Sequence, residues 1–287
     1  MRIGVVLPQT EIGPSVAGLR AYGQGVEELG YQHVLSYDHV MGADPEVHSP
    51  WTGPYDVDTE FHEPFVLFGF LAGCTSLELV TGITILPQRP TVLVAKQAAE
   101  VDLLTKGGFR LGIGVGWNPV EYEALGQDFT VRGRRIEEQV GLLRELWTSR
   151  SVTFAGEFDT VTGAGLAPLP VRRPIPIWFG GMSPAAYERM GRLADGWFPL
   201  VQPGPKLDEA RAIVARAAEG AGRDPGSIGL EGRVDWRGDR DDVIDRIESW
   251  RAAGASHLTL NTMGAGLADV DAHLEALASV ASRLPLD

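Results

Sequence analysis

Residues 77–116 read LELVTGITILPQRPTVLVAKQAAEVDLLTKGGFRLGIGVG. Two apolar runs, 77–86 and 110–116, flank a segment with helical spacing. Val92, Ala95, Ala99 and Leu103 recur at steps of three and four, which places them on one helical face. Both flanking runs are apolar on alternate and intervening positions alike, as strands of a sheet covered on both faces should be. The stretch is therefore a strand–helix–strand unit. Gly112, Gly114 and Gly116 fall on alternate positions of the second strand and so share one face. Glycine weakens a strand unless another surface must come close. Two readings stay open: room for a flat ligand at the strand end, or room for bulky side chains from neighbouring strands.

Similar runs lie on either side of this unit. They are IGVVL (3–7), HVLSYD (33–38), IPIWFGG (175–181), DGWFPL (195–200), IGLEGRV (228–234), which carries Glu231 and Arg233, and HLTLNT (257–262). Helical faces separate them: Ile136, Val140, Leu143 and Trp147 form one, Val243, Ile247 and Trp250 another. Asp239 is a plausible N-cap, and Ser183-Pro184 combines a capping residue with one preorganised for the first helical turn. Eight strands alternating with helices predict an α/β fold, a (β/α)8 TIM barrel, as one domain over residues 1–287. An open doubly wound sheet would carry G-x-G-x-x-G after its first strand, where this chain has LPQTEIG. Insertions are expected after strands 2 and 4. Residues 40–63 hold Trp51, Tyr55 and Phe61, and residues 149–174 carry a short hairpin, SVTFAGEFDTV.

The formal charge of −13 disfavours nucleic acid, whose binding depends on Lys and Arg. It leaves room for a small anion held by backbone N–H groups. Cys74 is the only cysteine, so no intrachain disulfide forms, and its apolar neighbours suggest a small core residue. MRIGVVLPQT has too short an apolar run for a signal peptide, and no stretch reaches the roughly 18 apolar residues of a membrane span. A cytoplasmic protein without membrane partners is expected.

Three strand ends carry chemistry. SYDHV places Asp38 and His39 at the end of the second strand, where only one faces the cavity unless the chain has begun to turn. The fifth strand runs through Gly180 and Gly181 into a capped helix, so N–H groups converge near Met182 and Ser183 in a form suited to phosphate. The fourth ends at Gly116, Trp117 and Asn118. Glu121 and Glu123 beyond it could act as acids, though they read more simply as residues that begin or decorate a solvated helix. H-E-x-x-H, H-x-H at an early strand end, G-x-S-x-G and the P-loop pattern are absent, so no metal centre is expected.

LPQT, SYDHV, the block from Thr81 to Gly126, RGRRIEE and IPIWFGGMSPAAYERMGRLADGWFPL together resemble the bacterial luciferase-like superfamily, nearest its F420-dependent oxidoreductase branch. The resemblance implies hydride transfer at C5 of coenzyme F420, or at N5 of FMN in the alternative. It implies a bulge in the third strand, with a non-prolyl cis peptide at Gly82–Ile83 flanked by Thr81 and Thr84, supporting the cofactor ring. By the same resemblance Asp38 and His39 lie near the ring, Gly116, Trp117 and Asn118 form its rim, and Gly180, Gly181, Met182 and Ser183 contact phosphate. His39 and Trp117 are the candidate catalytic residues. Relatives commonly form homodimers.

The chain departs from the branch's sugar-phosphate dehydrogenases at two places. Trp117 stands where they keep a catalytic Glu, and VMGA stands where they keep a Trp after the Asp-His pair. The expected function is an F420-dependent oxidoreductase acting on a small-molecule substrate. The alternatives are an FMNH2-dependent monooxygenase and a non-catalytic flavin- or deazaflavin-binding protein.

Overall fold

The computed structural model describes residues 1–286. The strands are β1 (Arg2–Val6), β2 (His33–Ser36), β3 (Glu78–Thr81), β4 (Thr84–Ile85), β5 (Phe109–Gly114), β6 (Val152–Ala155), β7 (Thr160–Ala164), β8 (Ile177–Gly181), β9 (Gly196–Pro199), β10 (Gly229–Asp235) and β11 (His257–Asn261). The helices are α1 (Val16–Glu28), α2 (Pro64–Ala72), α3 (Thr91–Leu104), α4 (Pro119–Ala124), α5 (Arg132–Thr148), α6 (Pro184–Leu193), α7 (Pro205–Gly220), α8 (Arg240–Ala252) and α9 (Val270–Ala281). All strands except the β6–β7 hairpin pair in parallel, and β5 pairs with β3 as well as β8. The sheet thus closes on itself as a (β/α)8 barrel, with β3 and β4 together supplying its third strand.

The break between β3 and β4 explains the glycine row. Leu79 pairs with Phe109, but Thr84 pairs with Ile113, so the third strand carries one residue more than its partner over this span. That is a β-bulge, and the Gly82–Ile83 peptide within it is cis. The glycines of β5, and Gly116 just beyond it, receive alternate residues of the bulged strand. A Cβ on Gly112 would strike the Thr81 carbonyl, one on Gly114 would lie 2.7 Å from Ile83 Cδ1, and one on Gly116 2.7 Å from Ile85 Cγ2. Gly180 on β8 makes room for the same Ile83, whose Cγ2 a Cβ would meet at 2.9 Å. Gly116 also has φ +65°, a left-handed conformation that favours glycine. Close approach of the bulged strand, by the Thr81 backbone at Gly112 and the Ile83 side chain at Gly114, accounts for these two glycines rather than direct ligand access.

Charged residues form one layer inside the barrel. Glu231 Oε2 accepts from Arg110 at 2.5 Å, and Oε1 lies 2.9 Å from His33 Nε2 and accepts from Thr259. Arg110 also pairs with Glu78 at 3.2 Å and lies 4.6 Å above the Trp178 ring. These charges are buried yet mutually paired, which is the condition for their survival in an interior. The buried charge of Glu231 in β10 is thereby explained.

The outer helices bury the expected faces of α5 and α8; Trp147 and Trp250 are fully buried, and Trp147 Nε1 donates to Ala95 O at 2.9 Å. The face of α3 is rotated from the expected one. Val92 is 43% exposed, and the buried stripe runs through Thr91, Val94, Ala95, Ala98 and Ala99. Cys74, expected in the core, is a half-buried free thiol just beyond α2. Asp239 and Ser183 cap α8 and α6 as expected. The predicted hairpin is β6–β7; the Glu138 carboxylate holds its tip through the N–H groups of Glu157, Phe158 and Asp159. Among the described residues no helix is long and apolar enough to cross a membrane.

Candidate functional site

The C-terminal ends of the barrel strands open into a cleft of about 630 Å³. Asp38, His39, Gly82, Ile83, Gly116 and Trp117 all line it, so six of the expected site residues converge. Asp38 and His39 both reach the cleft because β2 ends at Ser36 and the chain has already turned. Strand alternation no longer applies to them.

Their roles differ. Asp38 is buried, its Oδ1 accepting from Arg89 at 2.8 Å and its Oδ2 from the Ile85 N–H at 3.2 Å. Burial raises the Asp38 carboxyl while Arg89 and Ile85 pull it back. Asp38 therefore anchors β4 behind the bulge. His39 sits in an aromatic box supplied largely by the 40–63 loop. Its ring centroid is 5.0 Å from Tyr55, 4.8 Å from Phe61 and 5.8 Å from Trp117. Trp51 extends the box, 5.7 Å from Trp117, with its Nε1 donating to Tyr55 O at 2.9 Å. Trp117 remains 37% exposed at the mouth.

Other expected residues stand back from the cleft. Thr81 is buried and its hydroxyl donates to Gly112 O at 2.7 Å; Thr84 is buried as well. Asn118 lines a smaller neighbouring cavity of about 280 Å³ with His39 and Trp117, and its Oδ1 caps α4 through the Val120 N–H at 3.0 Å. Gly180, Gly181, Met182 and Ser183 form the β8–α6 junction. Ser183 caps α6 through the Ala186 N–H, Met182 is 64% exposed, and Gly180 abuts Ile83, a wall of the cleft.

Tertiary structure adds residues that the strand-end reading left out. Tyr37, Arg233 and Asn261 line the cleft; Arg233 lies 3.4 Å from the Tyr37 hydroxyl and 3.2 Å from Asp235, which accepts from Asn261 at 2.9 Å. Arg233 had a signal, since it shares the inward face of its strand with Glu231 two residues earlier. Glu121 had none. Expected on a solvated helix, it is fully buried, whereas Glu123 is exposed. The first turn of α4 points inward because Asn118 caps it at the rim of the box, and the loop after β2 closes over that turn.

A parallel barrel with a cleft at its strand ends, walled by a bulged third strand and an aromatic loop, defines the class of protein. Within that class the chain belongs to the luciferase-like monooxygenase family, whose model matches residues 1–278. It is 40% identical over 166 residues to an uncharacterized protein of Mycobacterium tuberculosis, covering 57% of this chain and 56% of that one. It is 35% identical over 198 residues to the phthiodiolone/phenolphthiodiolone dimycocerosates ketoreductase of Mycobacterium kansasii, covering 66% and 53%. The chain thus spans about half the length of these curated relatives. Three solved structures share its fold. A monooxygenase from Streptomyces bottropensis has a TM-score of 0.79 at 19% identity, covering 99% of this chain and 98% of that one. The coenzyme F420-dependent tetrahydromethanopterin reductase of Methanopyrus kandleri has 0.78 at 14%, covering 99% and 98%. An F420-dependent secondary alcohol dehydrogenase, solved with an F420-acetone adduct, has 0.76 at 19%, covering 97% and 98%.

Proposed function

We propose that this protein is an F420-dependent oxidoreductase that moves a hydride between C5 of the deazaflavin and a carbonyl or carbinol carbon of a small organic substrate. The carrying observation is the convergence of His39, Ile83, Gly116 and Trp117 on one cleft large enough for a cofactor ring and a substrate. A ketoreductase among the relatives and a secondary alcohol dehydrogenase among the structures support the carbonyl class.

The residues present fit such a group. Ile83 and Ile85 offer an apolar floor for a flat ring, with Gly116 and Trp117 at its edge. The N-terminus of α6, at Gly181 to Ser183, suits a phosphate despite the net negative charge of the chain. The deazaflavin, when bound, would supply the hydride in its reduced form and accept it in its oxidised form. The chain supplies the rest. His39 exchanges a proton with the substrate oxygen as the carbon gains or loses hydride. Tyr37, Arg233 and Asn261 orient the polar end of the substrate. Tyr55 and Trp117 keep water from the reacting atoms.

An FMNH2-dependent monooxygenase is the second reading, favoured by the description of the family itself. A binding protein without catalysis is the third, because Trp117 lies in an aromatic box and has no acidic proton to give. We further propose that the protein works in the cytoplasm as a homodimer through α2 and α3, whose Val66 and Leu93 are exposed.

The test is titration of the purified protein with F420, FMN and NADP side by side, followed by tryptophan fluorescence. Reduced F420 is then mixed with a panel of ketones and its oxidation followed by absorbance. F420 binding with ketone-dependent oxidation is expected. Preferential FMN binding overturns the choice of cofactor. Binding of F420 without turnover on any ketone overturns the enzymatic reading in favour of the third.

A further inference from the structure

We propose that Glu121 is a positioning residue: its buried carboxylate fixes the His39 imidazole with Nδ1 toward α4 and leaves Nε2 to face the cleft. The proposal rests on the reading above only for what His39 acts upon.

Glu121 is fully buried and holds four groups. Oε1 accepts from the Val40 N–H at 2.5 Å and the Met41 N–H at 3.3 Å. Oε2 accepts from Gln88 Nε2 at 3.0 Å and stands 3.5 Å from His39 Nδ1. Burial works against its charge, but His39, Gln88 and Val40 hold it below the usual carboxylate range. An ionised carboxylate only accepts hydrogen bonds. The ring nitrogen facing it must therefore carry the hydrogen, which makes Nδ1–H the tautomer of the neutral ring and leaves a lone pair on Nε2. Catalytic contacts of this kind are often long before a ligand arrives, as the 3.5 Å separation is here. Tyr55, Phe61 and Trp117 pack around the ring and restrict its rotation. Asp38, adjacent in sequence, cannot take this part because Arg89 and Ile85 occupy its oxygens.

The same carboxylate binds the first two N–H groups of the 40–63 loop, so the loop and the histidine share one anchor. An amide at this position separates the two tasks. In Glu121→Gln, Oε1 can still accept from Val40 and Met41, while the new NH2 faces Gln88 and His39. Gln88 Oε1 is buried without a partner and can rotate to accept from it. His39 Nδ1 must then accept too, and the neutral ring switches to Nε2–H.

The readout is the imidazole nitrogen–proton correlation spectrum of the apoprotein, which needs no cofactor. The wild-type spectrum is expected to show His39 protonated at Nδ1, and that of E121Q at Nε2. In the loaded enzyme, followed as oxidation of a secondary alcohol, where Nε2 must accept the hydroxyl proton, E121Q should leave F420 affinity and KM unchanged while kcat falls by about 10²-fold, the scale of a misdirected general base. A neutral wild-type ring protonated at Nε2 overturns the proposal even if E121Q fails to fold. So does E121Q that retains Nδ1–H, or that switches tautomer and still turns over at the wild-type rate. If the wild type binds neither F420 nor FMN, the functional reading fails, and the spectra alone still decide the role of Glu121.

Discussion

Gly114→Ala tests the packing account of the glycine row. The backbone at Gly114 is compatible with alanine, since its φ lies outside the left-handed region, so the change isolates side-chain space. The new methyl would lie 2.7 Å from Ile83 Cδ1 and 2.9 Å from Cγ1, with the Gly180 carbonyl at 3.5 Å. Carbon atoms prefer separations of about 3.5–4.0 Å, so Ile83 must move by nearly an ångström or leave its rotamer. Overpacking of this kind costs about 1–3 kcal/mol. Alanine in place of glycine in a strand returns roughly 0.5–1 kcal/mol of backbone entropy. The net loss should therefore lie within about 0–2.5 kcal/mol, centred near ~1 kcal/mol, measured by urea unfolding. Ile83→Val removes Cδ1, the nearer atom, at its own cost of about 0.5–1.5 kcal/mol. The double variant should be more stable than the sum of the two changes by at least about 0.5 kcal/mol, because the residues share one space. Strict additivity, or a Gly114→Ala more stable than the wild type, would refute the claim that β5 is stripped of side chains to admit the bulged strand.

Stability should fall in acid, and two groups act in the same direction. Burial, with Arg110 nearby, lowers His257 to about 4, so the unfolded chain takes that proton first; its stabilisation is full above about 6.5 and is lost as pH falls toward 4. Burial opposes the Glu231 charge, yet Arg110 and His33 hold it well below its usual range, so its stabilisation is present above about 4.3 and fades as pH falls further. Urea midpoints from pH 8 to pH 2 check this, with the His257 window above pH 4 and the Glu231 window below it, and a flat profile contradicts it. Glu231→Gln, which leaves Arg110 with Glu78 as its remaining carboxylate partner, should cost less than the ~3–5 kcal/mol of a fully unpaired buried charge at neutral pH by the same assay. Val66→Asp with Leu93→Asp should shift a dimer to monomer in sedimentation, with the far-ultraviolet circular dichroism unchanged; an unaltered dimer removes α2 and α3 as its interface.

Much of the fold was legible in the sequence because burial leaves periodic marks. The eight apolar runs, the caps at Ser183 and Asp239 and the helical faces of α5 and α8 follow from local spacing. The face of α3 did not. Small residues such as Ala98 serve either side of a helix, and only the neighbouring elements decided which side was covered.

At the site, the sequence by itself determined which strand ends carry unusual residues: Asp38 and His39, Gly82 and Ile83, Gly116 and Trp117. Barrel closure brought those six together around one cleft. Only the tertiary structure decided what each one does. Asp38 is held by Arg89, a residue 51 positions away. Gly112 and Gly114 face Thr81 and Ile83, which lie 31 positions earlier in each case, so their glycines serve packing. Glu121 became a buried partner of His39 because a loop from another strand closed over the first turn of α4. Periodicity reports contacts along a chain. The contacts that give a carboxylate or a glycine its task join distant segments, and no local pattern records them.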